Sequence, residues 1–214
     1  MSRRLAVIVC AGLIGLVAPD TATATYRRAS CPPRAGILVA ADANAEVWLG
    51  YGSVDSASPS YYACAYGRDR WYDLGPPLHG IRTGNVGTGA FHLAGSMVAY
   101  ETFDEIARAP GSLIQNDIVV RDLIDGRVLH KLPTGAATEP ETIGVGEVYS
   151  LVLKPDGAVA WIAGSVAEYQ LHAADAQGAR EIAAGPTIAP LSLALAGSTL
   201  YWTEAGKPDA ATLS

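Results

Sequence analysis

The chain has 214 residues, 50% of them apolar and 17% charged, with a formal net charge of −6. That length suits one domain or two small ones, and that composition excludes a disordered tail, which low hydrophobicity and dense charge keep from collapsing. A net negative chain has no general basic footprint for nucleic acid, and 23 glycines with 13 prolines point to a turn-rich all-β fold.

Residues 1–24 read as a secretory signal peptide: Arg3 and Arg4 lead, an apolar run follows from Leu5 to Ala18, and Pro19 and Asp20 break it ahead of the small residues Ala22-Thr23-Ala24. The run is shorter than the roughly 20 apolar residues that span a bilayer. The expectation is therefore a secreted, extracytoplasmic chain over 25–214, with no membrane span after cleavage. Cys10 leaves with the leader, and Cys31 and Cys64 remain. An even count in an oxidising compartment predicts a disulfide, worth roughly 3–4 kcal/mol for a loop of this size. There is no Cys-x-x-Cys to support redox catalysis.

Hairpins then follow one another. Ile37 to Gly52 carries Trp48, and SYYACAYGRDRWYDL (60–74) turns near Gly67 to Asp69. GNVGTG (84–89) has the wrong glycine spacing for a dinucleotide fingerprint and reads as a linker. FHLAGSMVAYE (91–101) is a hairpin. The long connection TFDEIARAPGSLIQN (102–116) comes next and is expected to be a partner-contacting loop or a tolerated insertion, with one short helical turn over Phe103 to Ala109. DIVVRDLIDGRVLHKLP (117–133) turns at Asp125-Gly126, YSLVLKPDGAVAWIA (149–163) at Asp156-Gly157, and EYQLHAADAQGAREIAA (168–184) at Gln177-Gly178. LSLALAGSTLYWTE (191–204) closes the series, with a further strand at Ala210 to Leu213. Trp48, Tyr100, Trp161 and Trp202 recur at one position of the pattern.

Two hairpins per unit of about 40–50 residues describe a propeller blade. The predicted fold is all-β, a small β-propeller-like array of about four antiparallel blades near 37–78, 90–134, 148–185 and 190–214, with a β-sandwich as the alternative. A strand from the mature N-terminus would close the ring by exchange. An open half-ring that pairs as a homodimer is the other arrangement.

Three segments carry a family resemblance: the strand at Tyr62-Ala63-Cys64, the hairpin LVLKPDGAVAWI and the closing SLALAGSTLYWTEAGKP. In these the chain resembles secreted β-propeller-like proteins of high-G+C, actinobacterial-type bacteria, with YVTN-type repeats. More distantly it is similar to Tol-associated periplasmic propellers. The resemblance implies the blade fold, and protein–protein contact as the kind of work such blades do. It carries no catalytic residue, and fold alone does not imply function.

Motifs for chemistry are sparse. His79, His92, His130 and His172 show no metal-ligand spacing, and there is no His-Glu-x-x-His and no Gly-x-Ser-x-Gly. His130 and His172 are expected on strands near blade edges. Asp122, Asp125 and Gly126 are a fragment of a calcium loop that the hairpin turn already explains. No catalytic residue, metal ligand or cofactor is predicted. Acidic residues expected in loops (Asp104, Glu105, Asp117, Glu139, Glu141 and Glu147) form a candidate rim. The densest feature is aromatic: Tyr51, Tyr61, Tyr62, Tyr66, Trp71 and Tyr72. Tyr and Trp pair an apolar face with a polar edge, which suits sugars or protein hot spots, so Tyr51, Tyr61 and Trp71 are the candidate ligand-binding residues. The function expected is a non-catalytic binding module for a protein or a cell-envelope glycan. The alternatives are an extracytoplasmic hydrolase or lyase acting on envelope polysaccharide, with carboxylates in rim loops, and a structural subunit pairing through an open blade edge.

Overall fold

A computed structural model of the chain describes residues 31, 35–51, 59–77, 91–108, 111–135, 146–165 and 167–214, with backbone alone over 103–108 and 111–114. The expected signal peptide and the 84–89 linker lie outside the described residues. Among those described there are strands and no helix.

The strands form four meanders. The first sheet runs β1 (Ile37–Ala41), β2 (Ala45–Tyr51), β3 (Pro59–Ala65), β4 (Tyr72–Gly75). The second runs β5 (His92–Ala94), β6 (Met97–Arg108), β7 (Gly111–Asp122), β8 (Val128–Pro133). The third runs β9 (Glu147–Leu153), β10 (Val159–Ser165), β11 (Glu168–Asp175), β12 (Gly178–Gly185). The fourth has three strands, β13 (Ala194–Ala196), β14 (Thr199–Glu204) and β15 (Lys207–Thr212). Each strand pairs antiparallel with its neighbour in sequence, so each sheet folds from local hairpins. The reversals are chemically marked. Gly126 and Gly157 hold φ of +80° and +93°, which their Asp-Gly turns require and other residues resist.

The sheets stack face to face in chain order. Val47, Tyr61 and Ala63 of the first pack against Val98, Tyr100 and Val119 of the second. The opposite face of the second, Ala99, Ile118 and Val120, meets Leu151, Val159 and Trp161 of the third. Ala160, Ala173, Ile162 and Leu171 of the third meet Leu200, Leu213 and Trp202 of the fourth. The middle sheets are therefore buried on both faces, which accounts for strand segments such as IVV and LVL that are apolar on alternate and adjacent positions alike. The predicted aromatic anchors all fall on the second strand of a sheet. The first strands of three sheets approach one another: Cα atoms of β5 lie within 8 Å of both β1 and β9.

The disulfide forms as expected. Cys31 bonds Cys64 on β3, with Cα atoms 6.0 Å apart, against the face of the first sheet that points away from the second. The expected loop over 102–116 does not form. Its described residues belong to β6 and β7, whose pairing continues unbroken from Met97↔Asp122 to Arg108↔Gly111, and 103–108 is strand where a helical turn was expected. Register explains this, because each residue added to an antiparallel ladder finds its partner already in place.

Candidate functional site

The β6–β7 hairpin outgrows its sheet. β5 pairs with β6 only over Met97 to Ala99, and β8 pairs with β7 only over Asp117 to Arg121. Beyond them, six residue pairs from Phe103↔Asn116 to Arg108↔Gly111 continue as a two-stranded ribbon, about 20 Å long. Asp104 and Glu105 of the expected acidic rim lie on this ribbon, opposite Gln115 and Ile114.

Polar bonds fix the ribbon at its base. Asn116 is buried and donates its amide to the Gly146 carbonyl at 3.2 Å. The Thr134 hydroxyl, also buried, donates to the same carbonyl at 2.6 Å. The Gln115 amide reaches the carbonyls of Asn116 and Gly135 at 2.9 and 3.2 Å. Beside them Asp117, which is buried rather than on a loop rim, faces Lys131 at 3.5 Å. The ribbon thus rises from a junction of the second and third sheets in which the side chains of Gln115, Asn116 and Thr134 are paired, as low-dielectric sites demand. Glu147 opens β9, and Glu139 and Glu141 lie outside the described residues, so the described acidic residues do not form one rim.

The candidate aromatics separate. Tyr61 is core: it is buried between the first two sheets, with its ring edge-on to Phe91 at 4.6 Å. Tyr51 is 64% exposed at the far end of β2, opposite Pro59. Trp71 is half-buried just before Tyr72, which pairs with Ala63. About 15 Å of strand lies between Tyr51 and Trp71, so the three do not converge on one sugar-sized surface. Alternation sends half of a strand's side chains inward, but the sequence does not say which half.

The described histidines lie on strands. His130 lies on β8, at a sheet edge as expected. His172 lies instead on the interior strand β11, stacked on Trp161 at 5.3 Å between ring centroids. Burial lowers the pKa of His172, partly opposed by Glu181, and burial lowers that of His92 as well. His79 is outside the described residues. Among the described residues, no three His, Cys, Asp or Glu side chains gather as a metal site, and no helix is long and apolar enough to cross a membrane.

The outer edge of β15 is blunted. The two-residue turn makes Glu204↔Lys207 a bonded pair, and the Leu213 N–H reaches the Ser198 carbonyl in the same phase. Pro208, Ala210 and Thr212 therefore turn their backbone groups outward. Pro208 has no N–H to offer. The Ala210 N–H is taken by the Asp209 carboxylate at 2.9 Å, and the Thr212 carbonyl accepts from Arg180 at 3.1 Å. These devices oppose the addition of a further strand, whether from this chain or another.

No protein-family model matches the chain, and neither the curated proteins nor the solved structures give a match.

Proposed function

We propose that this chain is an exported, non-catalytic interaction module on a propeller-like fan of sheets, and that it engages a protein partner through the β6–β7 ribbon. The observation that carries this reading is the ribbon itself. A hairpin extends six residue pairs past its sheet, on a base tied by Asn116, Thr134 and Gln115, and its ladder outruns both flanking strands. It presents a two-edged surface at fixed orientation, and rigid scaffolds commonly present binding elements in this way. The fan geometry is supported by the approach of the first strands to one another, since sheets that converge on one edge and diverge on the other radiate from an axis. Export is supported by the disulfide, which suits an oxidising compartment, together with the leader-like residues 1–24. A protein is favoured over a glycan because the exposed aromatic surface is scattered.

The test replaces 105–114 with Asn-Gly, so that a tight turn joins Asp104 to Gln115 and the tied base is kept. The shortened protein keeps its β circular-dichroism signal and its melting temperature within a few degrees. A photo-crosslinker at Ile106 in the parent traps a discrete envelope protein, and one at Tyr51 does not. Equal trapping from both positions, or a thermal shift with envelope glycans that Tyr51→Ala abolishes, sinks the ribbon as the contact.

A further inference from the structure

Phase along β7 fixes which way its backbone groups face. The Thr134 N–H donates to the Asn116 carbonyl at 2.9 Å, and the Asp122 N–H donates to the Arg127 carbonyl at the same distance. Asn116 and Asp122 therefore turn their backbone groups toward the β8 side. In an antiparallel ladder that direction alternates, and no register shift interrupts the pairing of β6 with β7. Ser112 and Ile114 consequently face the β8 side as well, while Gly111, Leu113 and Gln115 face β6. β8 has ended by then: its last pair is Asp117↔Pro133, and Thr134 and Gly135 lie outside the strand. Among the described residues no backbone group pairs with Ser112 or Ile114 on that side.

This edge lacks the guards that the last strand of each sheet carries. β4 has Asp73, β8 has Lys131 and Pro133, β12 has Arg180 and Glu181, and β15 has Pro208 and Asp209. Charge and proline on an edge strand oppose the addition of another strand. Residues 111–116 read Gly-Ser-Leu-Ile-Gln-Asn and contain neither. The other edge of the ribbon differs: Asp104, Glu105 and Arg108 are three of the six residues over 103–108. A row of outward N–H and C=O groups repeating about every 6.8 Å is matched by an extended polypeptide. The charge of that polypeptide follows from its surroundings. The chain is net −6, and Asp104 and Glu105 lie one strand away, in register with Gln115 and Ile114. A basic segment is drawn to that field, and a second copy of this acidic chain is repelled by it.

We propose that the protein partner supplies an extended basic segment, which adds to the β7 edge as a third strand of the ribbon, antiparallel to β7 and in line with β8. Main-chain bonds at Ser112 and Ile114 give this contact its affinity, and the acidic residues of β6 select its charge. This rests on the ribbon being the contact, as proposed above.

The test follows amide exchange in the whole protein by nuclear magnetic resonance. The probe is the peptide Lys-Val-Lys-Val-Lys-Val-Lys, and Glu-Val-Glu-Val-Glu-Val-Glu is its control. In the free protein the Ser112 and Ile114 amides exchange fast, and the Leu113 amide, bonded to β6, exchanges slowly. The lysine peptide slows exchange at Ser112 and Ile114 about tenfold, and the glutamate peptide does not. Ile114→Pro removes an outward donor and no bond of the β6–β7 ladder. Ile114→Lys keeps the donor and adds repulsion. Each variant weakens binding of the lysine peptide about tenfold with circular dichroism unchanged. Should the proline variant unfold, the lysine variant and the exchange rates of the parent still decide. Protection of Ser112 and Ile114 in the free protein overturns the proposal, because this chain then fills the edge itself, or a second copy does where protection grows with concentration. Equal binding of both peptides, or a lysine peptide that leaves both amides unaffected, overturns it too. Crosslinking from Ile106 separates the two failures. If Ile114→Pro still traps the envelope protein, the ribbon remains the contact and strand addition falls. If the parent traps nothing from Ile106, the ribbon falls as the contact as well.

Discussion

Arg180 on β12 grips the Asp175 carboxylate on β11 with both terminal nitrogens, at 2.6 and 3.0 Å, and reaches across to the Thr212 carbonyl of β15. Asp175 also accepts the Ser214 N–H at 2.8 Å and the Gln177 N–H at 2.9 Å. Its side chain is wholly buried while the guanidinium stays partly in solvent. One carboxylate thus closes the β11–β12 turn and fastens the end of the fourth sheet to the third.

Removing Asp175 leaves two part-buried N–H groups and a guanidinium without their acceptor. Asp175→Ala is expected to cost about 2–4 kcal/mol, toward the lower end of broken buried pairs because Arg180 can turn to water. The hydrogen bonds from Arg180, with those from the Ser214 and Gln177 amides, hold this carboxyl well below the usual carboxylate range despite its burial. A depressed folded pKa gives stability that is present above the unfolded value, near 3.9, and is lost as pH falls through the folded one. Urea midpoints measured from neutral pH downward should fall more steeply below about pH 4 in the parent than in Asp175→Asn. Parallel curves would show that the pair does not carry the acid response.

A second acid window lies higher. Burial depresses the pKa of His172 against Trp161, and that of His92. The neutral rings are what the fold accepts, so their contribution is complete above the unfolded histidine value, about 6.5, and declines as pH drops below it. His172→Phe keeps a ring on Trp161 and removes one titrating site. The stability lost between about pH 7.5 and about pH 5 should be smaller in this variant than in the parent, with the His92 share remaining. An unchanged loss would place the response elsewhere.

The turn of the second sheet is wedged into the first. Gly126, at φ +80°, stands where a Cβ would overlap the Tyr72 ring, whose hydroxyl donates to the Ile124 carbonyl at 3.3 Å and whose face carries Arg70 at 5.0 Å. Gly126→Ala therefore combines backbone strain with displacement of a buried ring and should cost about 2–4 kcal/mol. Gly178, at φ +93°, has nothing within 4 Å of its Cβ position. Gly178→Ala isolates the strain, about 1 kcal/mol. Equal losses in the two melts would mean that the Tyr72 contact is not what Gly126 protects.

Much of this architecture was legible because its signals are local. Asp125-Gly126 and Asp156-Gly157 mark reversals by backbone chemistry, period-2 alternation around Trp48, Tyr100, Trp161 and Trp202 marks strands, and Cys31 and Cys64 mark a bridge. The misread parts depend on partners distant in sequence. FDEIAR is as acceptable to a helix as to a strand until LIQN lies beside it. Tyr51 and Tyr61 look alike in sequence. Only the arrival of Phe91 and Tyr100 from the second sheet makes one of them core. His172 looked peripheral because nothing local says that its strand has neighbours on both sides.

Those same local signals include protection against the wrong partner. On β15, Lys207-Pro208-Asp209 places a charge, a missing donor and an internal acceptor along an edge strand whose outer side has no ladder among the described residues. Pro208 pairs with Thr203 at a position where its absent N–H would face outward, so its replacement costs the sheet no hydrogen bond. Pro208→Val with Asp209→Ala frees two outward donors and raises β-propensity at once. The monomeric fold should melt within about 1 kcal/mol of the parent, since both sites are exposed. Its tendency to self-associate should rise nonetheless, read as thioflavin-positive aggregate or as light scattering that grows with incubation. The Arg180 bond to the Thr212 carbonyl remains in this variant, so adding Arg180→Gln should increase association further. If the double variant stays as soluble as the parent through prolonged incubation, proline and aspartate are not what guards this edge, and the twist of the sheet is the remaining barrier.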